Sequence, residues 1–95
     1  MKVNLYATLR LQVNAKSVEL PLADGSTVQQ VLNALIAAYP ALRGEVLDGE
    51  GHLLQYVHVF INGRDVHFLP DQLQTALYSS DLIDLFPPVG GGAFH

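Results

Sequence analysis

The chain has 95 residues, 49% hydrophobic and 15% charged, enough for one domain with a single core and too few for two domains or an elaborate buried cleft. Five Lys and Arg against nine Asp and Glu leave a charge of −4, and the basic residues Lys2, Arg10, Lys16, Arg43 and Arg64 are scattered, which argues against a phosphate-tracking nucleic-acid surface. No apolar run approaches the roughly 18 residues that span a bilayer, no signal-like segment opens the chain, and there is no cysteine for a disulfide, thiolate metal site or nucleophile; a soluble cytoplasmic protein is expected.

Residues 2–9 alternate, with Val3, Leu5, Ala7 and Leu9 on one side and Lys2, Asn4, Tyr6 and Thr8 on the other, which predicts a half-buried strand. Residues 17–22 alternate again, with Val18, Leu20 and Leu22 inward, and the polar link 12–16 is short enough for an antiparallel hairpin. Asp24-Gly25-Ser26-Thr27 breaks the pattern, and Thr27 with Gln30, or Ser26 with Gln29, fits a capping box. Val28, Val31, Leu32, Leu35, Ile36 and Tyr39 then recur at helical spacing, so the only long amphipathic helix is expected over 28–39, ended by Pro40. Residues 41–54, with Gly44, Gly49 and Gly51 among acids, read as a short helical turn near 42–47 and then a mobile loop.

Residues 55–61 are rich in Val, Phe and Ile and run into Asn62-Gly63, a strong hairpin signal because both positions accept positive φ. Residues 64–68 are expected to pair back briefly. Leu69-Pro70-Asp71 interrupts, and residues 72–77 are irregular or one helical turn. Residues 82–86 form the last strand, and the apolar run of Leu82, Ile83, Leu85 and Phe86 suits a central position. The order strand, strand, helix, strand, short strand, strand is that of the β-grasp, ubiquitin-like fold. It implies an α+β domain over residues 1–86, with a mixed sheet of four to five strands and one main helix packed on one face.

After the last strand come Pro87, Pro88 and Val89, then Gly90-Gly91-Gly92. Two prolines stop the sheet and hold the chain near the polyproline conformation, so residues 87–92 are expected as an extended arm reaching on the order of 18 Å. Without β-carbons, the glycines can pass a narrow channel and let their acyl group be approached closely. A glycine-rich end by itself is more often a loose terminus, so other residues must support the chemical reading.

They do: Phe86-Pro87-Pro88-Val89-Gly90-Gly91-Gly92 resembles the terminal signature of the ubiquitin-like sulfur carriers of the MoaD/ThiS type, which include the small subunit of molybdopterin synthase. Leu5-Tyr6-Ala7-Thr8-Leu9-Arg10 and Gly25-Ser26-Thr27-Val28 also resemble that family, leaving residues 41–54 uncovered. The resemblance implies a protein that is substrate and not enzyme. It binds no cofactor itself, and a ubiquitin-activating-type enzyme uses ATP to adenylate its terminal glycine, after which sulfur converts the acyl-adenylate to a thiocarboxylate. Aligning Gly91-Gly92 with the family's terminal pair makes Gly92 the reacting carboxylate and Ala93-Phe94-His95 a removable extension, cut between Gly92 and Ala93. In some relatives a JAMM-type zinc metallopeptidase makes such a cut. Those carriers feed a sulfur-accepting enzyme of amino-acid or other sulfur-metabolite biosynthesis; the alternatives are the molybdopterin-synthase small subunit and a ubiquitin-like protein modifier.

His52, His58, His67 and His95 lack helical i, i+4 pairs and any cysteine to complete a zinc site, so no metal is expected. His58 is assigned to the polar sheet face, able to touch a partner if the tail is near. Asp81 and Asp84 are read as solvated positions and not as an acid–base pair. Arg10, together with Phe86, is a candidate partner contact. Tyr6, Tyr56 and Phe60 are candidates for an aromatic patch facing the activating enzyme, with Phe60 expected in the core instead.

Overall fold

The computed structural model describes residues 1–88. Strands β1 (Lys2–Leu5) and β2 (Ser17–Glu19) are separated by a short helix, α1 (Thr8–Val13). The main helix α2 (Val28–Ala38) follows, then a 3-10 turn at Pro40–Leu42 leading into α3 (Arg43–Val46). Strands β3 (His58–Ile61), β4 (Arg64–Asp65) and β5 (Ile83–Phe86) complete a five-stranded mixed sheet of order β2-β1-β5-β3-β4. β1 and β5 are parallel neighbours, with Val3 beside Ile83 and Leu5 beside Leu85; every other pairing is antiparallel. β5 is the central strand, as its apolar run predicts.

One face of this sheet is dry. Val3, Leu5, Val18, Val59, Ile61, Ile83 and Leu85 pack with the α2 stripe of Val28, Val31, Leu32, Leu35 and Ile36 in one apolar cluster. Alternation sends the neighbours of these strand residues, among them Asn4, His58, Phe60, Asp84 and Phe86, to the opposite face. Thr27 caps α2 as expected: its hydroxyl accepts from the Gln30 amide at 3.1 Å and the Gln30 side chain accepts from the Thr27 amide at 2.8 Å. The Ser26–Gln29 alternative is not used, since Ser26 donates to the Ala23 carbonyl and Gln29 to Asn33.

Four expectations need correction. The first strand stops at Leu5, because Ala7 (φ 51, ψ −130) turns the chain out of the sheet and Thr8–Val13 coils into α1. Leu9 and Val13, four apart, supply the helical contact, with Leu9 buried and Leu11 exposed. β1 and β2 pair antiparallel as expected, but the link between them is a helix ended by Asn14 in the left-handed region and not a short polar loop over 12–16. The third strand begins at His58, not at residue 55. At the Asn62-Gly63 turn both residues have positive φ, 52 and 83, but only Arg64 and Asp65 pair back before the chain bends into a 3-10 turn at Val66–Phe68. Asp65 causes that bend by accepting from the His67 amide at 2.9 Å.

Candidate functional site

The tail leaves from the centre of the sheet. Pro87 is buried and Pro88 exposed; Val89, Gly90, Gly91, Gly92, Ala93, Phe94 and His95, which carry the expected tail, processing and terminal positions, lie outside the described residues. What the structure defines is the platform from which the tail departs. Cross-strand register sets two outward rows upon it: Asn4, Asp84, Phe60 and Asp65 in one, Phe86 and His58 in the next.

Aromatic rings fill this platform. Tyr6 stacks on Phe86 with centroids 4.2 Å apart and 11° between planes, and Phe86 meets Phe60 edge to face at 5.5 Å. His58 lies 6.2 Å from Phe60, tilted. Phe60 is thus not a core residue: strand alternation, set by buried Val59 and Ile61, puts it on the outer face. Tyr56 is 65% exposed ahead of β3 and makes no ring contact with the cluster. Arg10, from α1, holds its guanidinium 4.9 Å from the Tyr6 centroid and donates Nε to the Leu5 carbonyl at 2.6 Å. The two residues singled out as partner contacts, Arg10 and Phe86, therefore flank one tyrosine.

Asp84 is more than a solvated outward position. Its Oδ1 accepts from the Tyr6 hydroxyl at 3.0 Å and from Asn4 Nδ2 at 3.0 Å. The bond to this carboxylate, followed by burial and the Asp84 charge, raises the Tyr6 phenol above its ordinary value, against the pull of Arg10. Asp81 instead holds the turn before β5, accepting from Asn62 Nδ2 at 3.0 Å and from the Tyr78 amide at 2.8 Å.

At the far edge, Asp65 sits between two imidazoles, His58 Nδ1 at 3.1 Å and His67 Nδ1 at 2.9 Å. Burial pushes its carboxyl up, but the His67 amide and the two histidines outweigh that and leave it below the ordinary value. His58, Phe60, Gly63, Asp65, Asp84 and Phe86 line an open groove of about 430 Å³ beside the tail base. Among the described residues no group of three His, Asp or Glu side chains is arranged to hold a metal. His52 belongs elsewhere, with Asp48 and Glu50 in the loop after α3. None of the helices among the described residues is long and apolar enough to cross a membrane.

Sequence reading missed Asn4, Asp65 and the structural part of Asp84. Alternation could place each on an outward face, but their partners lie on other strands and no local signal names them.

A family model described as the ThiS family matches residues 3–92. Small archaeal modifier protein 3 of Haloferax volcanii is 38% identical over 92 residues, covering 97% of this chain and 98% of that protein. The sulfur carrier protein CysO of Mycobacterium tuberculosis is 32% identical over 72 residues, covering 74% and 76%. The solution structure of small archaeal modifier protein 1 from Methanosarcina acetivorans superposes with a TM-score of 0.83 at 33% identity, covering 96% of this chain and 94% of that one.

Proposed function

Since the chain belongs to the ThiS family of ubiquitin-like β-grasp proteins, whose relatives are small modifiers and sulfur carriers, we propose that it is a sulfur carrier working through the Gly92 carboxylate. One observation carries this reading: the family match runs to residue 92 and stops there, on the last of three glycines, with Ala93-Phe94-His95 beyond it. A peptidase of the JAMM zinc type hydrolyses the Gly92–Ala93 amide. A Gly92 oxygen then attacks the α-phosphorus of ATP held by an adenylating enzyme, and pyrophosphate leaves. Sulfide-level sulfur adds to the acyl carbon of the resulting mixed anhydride, AMP departs, and a thiocarboxylate remains for a sulfur-accepting biosynthetic enzyme. While Gly92 is tied to Ala93 its carbonyl has no anionic oxygen to offer. The chain contributes the acyl group and the docking surface; the enzyme contributes the catalysis.

The aromatic platform suits that docking. Interfaces favour aromatic and arginine anchors, and Tyr6, Phe60, Phe86 and Arg10 stand together at the tail base. A second reading is favoured by the names of two relatives, small archaeal modifier proteins 3 and 1 of Haloferax volcanii: a modifier whose Gly92 acyl group passes to a lysine amine. Both readings share adenylation and part afterwards.

The test compares a chain ending at Gly92 with the 95-residue form, each given ATP and the cognate adenylating enzyme. The expected result is pyrophosphate release only from the shorter chain and, with a sulfur donor, the mass gain of one oxygen replaced by sulfur. Equal activation of both chains would refute the reading, and an acceptor-lysine adduct in place of the thiocarboxylate would move the assignment to the modifier.

A further inference from the structure

The last strand residue before the prolines is held by a side chain from the opposite end of the sequence. Tyr6 directly follows β1, and because β1 and β5 run parallel with Leu5 beside Leu85, its ring falls against Phe86. The ring cannot swing freely. Its hydroxyl is tied to Asp84, two residues before the one its face covers, and Asn4 steadies the same carboxylate oxygen. Arg10, itself fastened to the Leu5 carbonyl, covers the ring. Tyr6 thus grips β5 at two points along its outer side, while Phe60 closes on Phe86 from the neighbouring strand.

The grip matters because the ladder ends there. Pro87 and Pro88 have no amide hydrogen to carry sheet register onward, so the heading of the tail is inherited from Phe86 and from the fixed proline φ. Val89 to Gly92 continue from wherever Pro87 and Pro88 deliver the chain, so a change at Phe86 shifts their starting point and direction. A misplacement of about 1 Å at a reacting centre is enough to cost on the order of 100-fold in rate.

We propose that Tyr6, locked by Asp84, is a positioning residue for adenylation of Gly92, fixing the direction in which the tail leaves the sheet. This role presupposes the carrier reading, yet it is distinct from docking. A docking residue governs capture by the enzyme; a brace governs productive geometry after capture.

With the chain ending at Gly92 and its cognate adenylating enzyme, Tyr6→Leu lowers kcat for pyrophosphate release roughly ten-fold or more, beyond any rise in KM that follows from its place in the docking platform. Tyr6→Phe, which keeps the stacked ring and drops the hydroxyl, falls between. Asp84→Asn retains an oxygen that accepts from Tyr6 and Asn4 and recovers most of the rate that Asp84→Leu loses. A second measurement uses the full chain without enzyme: NMR ring-current shifts of the Phe86 ring and the order parameter of its backbone amide both decrease in Tyr6→Leu and are kept in Asp84→Asn. A rise in KM at constant kcat, equal loss in the two Asp84 variants, or Phe86 signals indifferent to Tyr6→Leu would each overturn the brace. If the unsubstituted Gly92-ending chain is never adenylated, the carrier reading falls, and the Phe86 signals alone decide whether the brace exists.

Discussion

The two faces of one sheet are built by different physics. Val3, Leu5, Val59, Ile61, Ile83 and Leu85 point inward to a cluster in which no described residue is both buried and polar. Their immediate neighbours Asn4, His58, Phe60, Asp84 and Phe86 point outward and meet through stacking, edge contacts and charged hydrogen bonds. Apolar burial is non-directional, scales with area and supplies most of the stability. Contacts such as Tyr6 to Asp84 add little net free energy because water competes for both partners, but they specify position. The inner face keeps the protein folded; the outer face decides where the tail base points.

That division can be broken by stability measurements. Leu35 is fully buried at the centre of the α2 stripe, so Leu35→Ala is expected to lower the unfolding free energy by about 2–5 kcal/mol in urea titrations. Tyr6→Leu on the outer face is expected to lower it by no more than about 1 kcal/mol. If the two variants lose equal stability, the outer cluster is a second core and the division fails.

A turn at the sheet edge ranks next. Gly63 has φ 83 with open space where a β-carbon would stand, so in Gly63→Ala the penalty is conformational, about 1–2 kcal/mol, with no steric clash. A loss well above that in thermal melts would mean that the hairpin supports more than β4. Thr27→Ala removes one half of the α2 capping box and should lower stability by about 1 kcal/mol, with Thr27→Ser retaining most of it. Equal losses in Ala and Ser variants would point to methyl packing in place of the cap.

What could be read from the sequence follows the same line between local and distant causes. The α2 stripe, its Thr27–Gln30 box, the Asn62-Gly63 turn and the central β5 all depend on periodicity or turn chemistry within a few residues, and each is present as expected. The α1 helix was hidden because Leu9, Leu11 and Val13 satisfy a period of two as well as Leu9 and Val13 satisfy a spacing of four, and Ala7 takes positive φ without the glycine that would advertise it. The expectation of Phe60 in the core conflicts with the outward assignment of His58 two residues earlier, which by alternation implies its side. The tie between Tyr6 and Asp84 spans 78 residues and needs the parallel pairing of β1 with β5, which no local pattern encodes. Gly92 rests on the terminal motif and the resemblance it carries, and lies outside the described residues.

The finest distinction between the faces is their response to acid. The inner cluster holds no buried polar or charged residue among the described residues, so its contribution should not vary with pH. Asp65 on the outer edge should make one that does. Its carboxyl is held below the ordinary value, burial opposing and the His67 amide with the His58 and His67 imidazoles prevailing. A carboxyl whose pKa is lower folded than unfolded binds fewer protons in the folded state, so it stabilises the fold above its unfolded value, near 3.9, and that contribution disappears as pH falls through the depressed folded value. Stability is therefore expected to fall as pH drops below about 4, and Asp65→Asn should flatten that part of the profile while lowering stability at neutral pH. Urea midpoints from pH 2.5 to 7, taken for the parent and Asp65→Asn, measure both. Parallel profiles would show that the bridged carboxylate adds no pH-dependent stability, leaving its pairing with His58 and His67 a surface geometry without energetic weight.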